Sequence, residues 1–412
     1  MMPLKVVHFF GGAWSPGATA GARVLHRALG RLGVTSKAYS LGWDARLAED
    51  ERPLAETSLQ KIWERAAYAL ERWPKRSPHG DAVPFHSAYA GHSRGTLSKA
   101  AANADLLHFH WLSHGLTALS TLPKLDRPSI ITARDQWLGT GGCHYSVQCD
   151  NYKRGCGRCP LLLRPSRADQ SARNLRWKRQ VLESPKLQLV APSQWLAERL
   201  SESGVIDRER IICIPNGIDF SRFPLGQRES ARALLGVGQH ESVVLMVADQ
   251  LDSAWKGVTE TLGLLNALEL QNTRLLLVGR GDVDTRGRTI PTRSLGYLQD
   301  PLALALAYNA ADVLLCPSTH EAFGKVLVEA AACGTPAIAL RDTGAGEVNS
   351  TLGNVVVERM DLDSLGAVLL PILAHPLGEA GRRDLRARGE HHYGAERVAT
   401  QYLDLYQHMA GC

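Results

Sequence analysis

Two glutamates, Glu321 and Glu329, stand eight residues apart in PSTHEAFGKVLVEAAACGTPAIAL, residues 317–340, a stretch otherwise rich in small and apolar side chains. A carboxylate can accept two hydroxyls of one ribose at once, and a second carboxylate can hold the other end of the same ligand. Between them Phe323 and Gly324 open a predicted helix, where first-turn amides near Gly324, Lys325 and Val326 and the helix dipole suit a diphosphate. The plainer alternative is a helix-terminal charge at Glu321 and a solvated helix position at Glu329. Two further turns favour the ligand. ADQLDSAWKGV (248–258) sets Lys256, a point charge for phosphate, beside Gly257, and LLVGRGD (276–282) ends a strand with Gly279 and Arg280 in a tight turn.

The first half offers different chemistry. GGAWSPGATAGARVLH (11–26) carries Gly11, Gly12, Gly17 and Gly21, more glycines than a strand-to-helix turn needs, which favours close backbone approach to a ligand. His110 beside Trp111 at a strand end reads as a ligand contact, and His108 as core. Cys143, Cys149, Cys156 and Cys159 fall within seventeen residues, and the last pair has zinc-knuckle spacing. Four thiols can close a tetrahedral structural zinc site, with His144 as a substitute ligand; free thiols or one disulfide are the alternatives. Residues 150–180 hold nine basic against two acidic side chains. They form either a solvated face or a seat for anionic lipid head groups, with Leu161, Leu162, Leu163 and Trp177 at the interface.

These residues need elements to place them. Short apolar runs alternate with helical patterns, the sign of βαβ units on parallel sheets. LKVVHFF (4–10), ADLLHFHW (104–111), RPSIITAR (127–134) and KLQLVAPS (186–193) read as one series of strands; ESVVLMVAD (241–249), TRLLLVGRGD (273–282), ADVLLCPS (311–318) and TPAIAL (335–340) read as a second. IICIPNGIDFSRFPLGQRES separates them and puts a hinge near Gly217 to Asp219. At 412 residues the chain suits two domains. Its 44% hydrophobic, 21% charged and 6% aromatic content is that of a soluble globular protein, and the charge of +6 names no partner and gives no reason to expect nucleic acid. The first apolar run is too short for a signal peptide and no later one approaches a membrane span, so a cytoplasmic location is expected.

With these motifs in view, the second half resembles the retaining glycosyltransferases of family 4, which have the GT-B fold. Glu321 to Glu329 within HEAFGKVLVEAAACGTP fits the family's paired-glutamate pattern, Lys256-Gly257 its Lys-Gly element, and IPNGID (214–219) the usual lead into its nucleotide-binding domain. The segment ITARDQWLGTGGCHYSVQCDNYKRGCGRCPLL (131–162) is similar to bacterial exopolysaccharide and colanic-acid transferases through Asp135, Trp137, Thr140, Gly141, Gly142 and Cys143. The resemblance implies an α/β fold of two Rossmann-like doubly wound domains facing across a cleft. Residues 1–218 would be the acceptor domain and 219–390 the nucleotide-sugar domain, with a C-terminal helix, 391–412, packing back on the first. It also implies that Glu329 binds the donor ribose, Glu321 the donor sugar and Lys256 the diphosphate, with Gly344 and Glu347 of DTGAGEV in the donor loop.

Two departures stand out. Arg134 occupies the place of the family's histidine that faces the reacting sugar, and no arginine precedes Lys256 where relatives complete the diphosphate clamp; Arg280 or Lys325 could stand in for it. The expectation is transfer of a hexose from a UDP- or GDP-sugar, with retention, to a glycan or lipid-linked acceptor in surface polysaccharide synthesis. No catalytic cofactor is expected, and the enzyme would work at the inner face of the membrane. Transfer to a small natural product, or a nucleotide-sugar-binding subunit without turnover, are the alternatives.

Overall fold

The computed structural model describes residues 3–11, 18–41, 51–72, 83–87, 89–287 and 289–411. Contacts divide the chain into two units, Met1–Gly217 with Val398–Cys412, and Ile218–Arg397. The return to the first unit therefore falls at 397/398, inside the last helix, and not at 391.

The first unit runs β1 (Lys5–Phe10), α1 (Ala18–Arg31), β2 (Thr35–Ser40), β3 (Glu51–Pro53), α2 (Ser58–Glu71), α3 (Arg94–Ala100), β4 (Leu106–His110), β5 (Ser129–Thr132), α4 (Gln170–Leu182), β6 (Leu187–Ala191), α5 (Gln194–Ser201) and β7 (Ile211–Cys213). Its sheet has the order β3-β2-β1-β4-β5-β6-β7, every pair parallel. The second unit runs α6 (Arg228–Leu234), β8 (Ser242–Gln250), α7 (Val258–Ala267), β9 (Thr273–Arg280), β10 (Thr292–Ser294), α8 (Pro301–Ala310), β11 (Val313–Cys316), α9 (Lys325–Ala332), β12 (Ala337–Leu340), α10 (Gly344–Thr351), β13 (Val355–Val357), α11 (Leu362–Ala374) and α12 (Glu379–Tyr393), with α13 (Ala395–Ala410) closing the chain. Its sheet has the order β10-β9-β8-β11-β12-β13, again parallel.

Each order starts at an inner strand, winds outward, returns and winds the other way. The reversals lie between β1 and β4 and between β8 and β11, and such switch points open a crevice at the carboxyl ends of the strands. The sequence dictates this through strands apolar on both faces. Val243 and Leu245 of β8 enter one core with Leu276 and Val278 of β9, while Val244 and Met246 enter the other with Leu275 and Leu277. Alternate side chains on a pleated strand point to opposite faces, so a continuous Val/Leu run needs helices on both.

Capping fixes where helices begin. Ser193 Oγ accepts from the Leu196 amide at 3.1 Å to start α5, and Asp300 with Pro301 starts α8. The last helix completes the first unit: the Tyr406 hydroxyl lies 2.6 Å from His108 Nδ1 and that of Tyr402 lies 3.0 Å from Thr132 Oγ1, all buried. Among the described residues no helix is long and apolar enough to cross a membrane.

Candidate functional site

In the second unit, turns after four strands converge. Lys256 ends a short 3-10 turn after β8, and Gly257 follows at φ 64°, where a Cβ would stand 2.6 Å from the Pro317 carbonyl oxygen. The Thr319 amide donates to Trp255 O at 2.9 Å. The turns after β8 and β11 are thus laced together across the switch point, and Lys256 Nζ meets Glu321 Oε2 at 2.5 Å, each side chain about one-fifth exposed. Burial works against the Lys256 charge, but Glu321 outweighs it and holds the ammonium above its usual pKa.

Glu329, the fifth residue of α9, is 3% exposed and so is no solvated helix position. Its Oε2 accepts from the Tyr308 hydroxyl at 3.0 Å and its Oε1 from Lys325 Nζ at 2.7 Å. Burial, then the Glu329 charge, pushes the Tyr308 phenol well above its ordinary value, so it stays a donor. A carboxylate has about four lone-pair positions, which leaves room for two hydroxyls of a ligand.

Glycines set the approach of the helices. Gly324 caps α9 at φ 80°, 2.9 Å from Ala345 Cβ by its missing Cβ, and the Gly344 amide donates to Glu321 O at 2.8 Å, where a side chain would strike Ala322 O. Glu347 sits half-buried in the first turn of α10. Gly279 packs its α-carbon against Ala248 O, and Arg280 pairs with Asp249 at 3.1 Å while stacking on Tyr297 at 4.0 Å. Phe323 turns away: it is buried edge-on against Tyr393, 5.5 Å between rings, and belongs to the core where the sequence placed it beside the ligand.

In the first unit the switch point is equally tight. The Gly11 amide donates to His110 O at 2.9 Å, and any side chain there would overlap Trp111 O. Gly21 leaves 3.4 Å between its missing Cβ and Arg134 Nη1; Gly12 and Gly17 lie outside the described residues. Arg134 Nη1 donates to Asn216 Oδ1, Nη2 to His110 Nδ1 at 2.9 Å, and Nε is buried with no partner. Among the described residues no carboxylate pairs with this guanidinium.

Arg134 also sets a proton order. Because it only donates, His110 Nδ1 must accept, so neutral His110 carries its proton on Nε2 and donates it to His8 Nδ1 at 2.9 Å. Burial, more than neighbouring charge, drives the pKa values of His8, His108 and His110 well down. Their ligating atoms lie within 4.8 Å of one another, but His108 is engaged with Tyr406 and Thr132 and His110 with His8 and Arg134, so a metal ion is disfavoured. His110 itself is fully buried, with Arg134 on its Nδ1.

Asp135 and Trp137 are also framework. Asp135 caps the Trp137 amide at 2.9 Å and accepts from His144 Nδ1 at 2.6 Å, while Trp137 is 2% exposed with its indole N–H on His86 O. Burial pushes the Cys143, Cys156 and Cys159 thiols up to about 12 and the Lys178 ammonium beside them down to about 7. The basic stretch is not one surface: Lys178 is buried, Lys153 pairs with Asp150, Leu162 is buried, and Trp177 packs on Tyr89. Sequence reasoning missed Tyr308, which lies on α8 with no motif to mark it, and His8, which the unusual polar position in VVHFF could have flagged.

Comparison with known proteins now gives the class. Solved structures that superpose on nearly the whole chain include glycosyltransferases. The sucrose-phosphate synthase of Thermosynechococcus elongatus superposes with a TM-score of 0.69 at 20% identity, over 98% of this chain and 99% of that one. HepE of Anabaena, solved in complex with UDP-glucose, gives 0.65 at 16% identity over 98% and 99%. The fold is GT-B.

The chain belongs to glycosyltransferase family 4: residues 17–222 match the model Glycosyltransferase Family 4, and residues 241–375 match Glycosyl transferases group 1. Among curated proteins it is 24% identical to WcaC of Escherichia coli K12, named for colanic acid biosynthesis, over 95% of this chain and 97% of that one. It is 26% identical to the D-inositol 3-phosphate glycosyltransferase of Kineococcus radiotolerans, over 92% and 87%.

Proposed function

We propose that this glycosyltransferase moves a hexose from a UDP- or GDP-sugar, with retention, to a glycan or lipid-linked saccharide in surface polysaccharide synthesis. The observation that carries the reading is the Lys256–Glu321 pair at the β8/β11 switch point, with Glu329 held by Tyr308 and Lys325 on the adjoining helix. Glu329 would take the ribose hydroxyls, Lys256, Lys325 and the first amides of α9 the diphosphate, and Glu321 the sugar. These cations and amides meet the charge that develops on the leaving diphosphate, and the phosphate oxygen takes the acceptor proton. Arg280, paired outward with Asp249, gives less to that clamp than Lys325. On this reading transfer needs no divalent cation.

The acceptor would bind the first unit. There Arg134, charged and without a carboxylate among the described residues, suits an anionic group such as a lipid diphosphate or an acidic sugar. A second surface supports a lipid-linked acceptor. Leu59, Ile62, Trp63 and Leu70 of α2 are all exposed and recur on one helical face, with Lys61 and Arg65 also exposed. The membrane-facing element would be α2 and not residues 150–180, where Leu163 is the exposed leucine.

The deciding experiment is thermal stabilisation by a panel of UDP-, GDP-, ADP- and dTDP-sugars, followed by donor hydrolysis in buffer free of magnesium and manganese. One stabilising nucleotide with slow hydrolysis supports the proposal. Stabilisation by none of them overturns it, and stabilisation without turnover on any acceptor favours the binding subunit, for which Arg134 at the histidine position is the argument.

A further inference from the structure

Between Gly139 and α4 the chain runs some thirty residues with one 3-10 turn, Asn151–Arg154, as its regular structure. Ordered excursions of that length are uncommon unless something pins them. The segment's own apolar cluster is small: Phe85, Cys159 and Leu162, with Cys143 and Leu161 against it.

At its centre Cys143, Cys149, Cys156 and Cys159 line one cavity of about 20 Å³, room for a single atom or water. The polar side chains beside them are already occupied, Asn151 Nδ2 by Gly157 O at 3.1 Å and Ser171 Oγ by the Gly157 amide at 3.0 Å. The backbone bends to present the sulfurs. Gly155, Cys156, Gly157 and Arg158 have φ of 96°, 60°, 91° and 48°, a left-handed run in which Cys156 and Arg158 are strained.

Lys178 supplies an independent observation. It is 1% exposed, donates to Thr140 O at 3.0 Å and to Trp137 O, and lies 3.5 Å from the Trp137 ring centre. Among the described residues no carboxylate accepts a bond from it, and Cys143 and Cys156 lie near it, as do Asp135 and Glu71.

We infer that Cys143, Cys149, Cys156 and Cys159 form a structural site for one Zn²⁺, which staples this segment and places its residual negative charge against Lys178. The four thiols release four protons to solvent on binding, and the tetrathiolate carries two net negative charges, which the ammonium offsets in part. The sulfurs are not yet in mutual contact: among the described residues only the three imidazoles bring all their ligand atoms within 4.8 Å. Zn–S bonds of ~2.3 Å would draw the turn inward. The site reaches the acceptor side through the residue after Cys143. His144 Nδ1 donates to Asp135 at 2.6 Å, His144 Nε2 lies 2.8 Å from His86 Nδ1, and Asp135 adjoins Arg134.

The test is metal analysis of the full chain purified from zinc-supplemented cells, with cobalt substituted in a parallel culture. About one zinc per chain retained through gel filtration, and a cobalt form with thiolate charge-transfer bands and the intense visible bands of tetrahedral coordination, are expected. Cys156→Ser with Cys159→Ser should abolish both, and Cys213→Ser should change neither. Absence of metal with a featureless cobalt spectrum, zinc retained by the double variant, or a disulfide among the four cysteines in freshly lysed protein would each overturn the site. The cobalt spectrum of the unaltered chain decides the matter even if the variants fail to fold.

Discussion

The Lys256–Glu321 pair leads to a prediction with an unexpected sign. Glu321 holds the Lys256 ammonium at 2.5 Å, and on the proposed assignment a donor diphosphate would compete with that carboxylate for the same charge. Glu321→Gln keeps the shape and removes the competitor. A charge-assisted hydrogen bond in a pair one-fifth exposed is worth about 1–2 kcal/mol net, below the value for a fully buried pair because water screens it. Released from it, Lys256 should bind UDP roughly 5- to 30-fold more tightly, while turnover of the sugar donor falls because Glu321 no longer orients the sugar. Titration calorimetry with UDP on the parent, Glu321→Gln, Lys256→Ala and the double variant measures this. The gain should vanish when Lys256 is alanine. Unchanged or weaker UDP binding in Glu321→Gln, or the same gain without Lys256, would refute the assignment of both residues.

Other consequences are open to direct measurement. Glu329→Ala removes the carboxylate assigned to the ribose, and loss of one or two hydrogen bonds to a charged group should weaken UDP binding by about 30- to 100-fold; equal affinity in parent and variant would remove Glu329 from the site. Asp312→Asn should destabilise the second unit by about 3–5 kcal/mol, because Asp312 accepts from Arg228 at 2.5 Å and from fully buried Arg232 and the Val243 amide, each at 2.8 Å; denaturation showing less than about 1 kcal/mol would mean the guanidinium finds another partner. Burial pushes the Glu71 carboxyl from 4.5 up to about 8, so the stability it contributes is complete below 4.5 and is lost as pH rises through 8. Glu71→Gln should therefore match the parent near pH 5 and exceed it near pH 9, by on the order of 4 kcal/mol at most; parallel melting curves across pH would contradict this.

The strands were legible because both faces of each sheet are covered, so LLLV and VVLMV stand out as unbroken apolar runs. Glu321, Glu329 and Lys256 were legible because one strand-turn-helix passage sets the spacing of the glutamates and a glycine marks the lysine. What escaped depends on partners distant in sequence. Tyr308 finds Glu329 across a helix packing, and Arg232 finds Asp312 eighty residues away. Phe323, His110 and Trp137 were read as contacts because they adjoin motifs, yet adjacency does not say which way a side chain turns, and all three turn inward. The cysteine spacing was plain, but convergence on one cavity depends on left-handed backbone at Cys156 and Arg158, which nothing in those residue types announces.

The return of the chain in α13 bears on how the protein is made. The amide of Ile218 bonds Tyr393 O at 2.8 Å and that of Ala395 bonds Ile218 O at 3.0 Å, so the chain enters and leaves the second unit through adjoining segments. That unit is continuous in sequence and can fold as it emerges from the ribosome. The first unit cannot be finished then, since Thr132 and His108 wait for hydroxyls from Tyr402 and Tyr406. At about 5–20 residues per second the wait lasts on the order of ten seconds or more, long enough for chaperones to bind the exposed half. A stop codon just before residue 398 would therefore spare the second unit and damage the first, the one translated earliest.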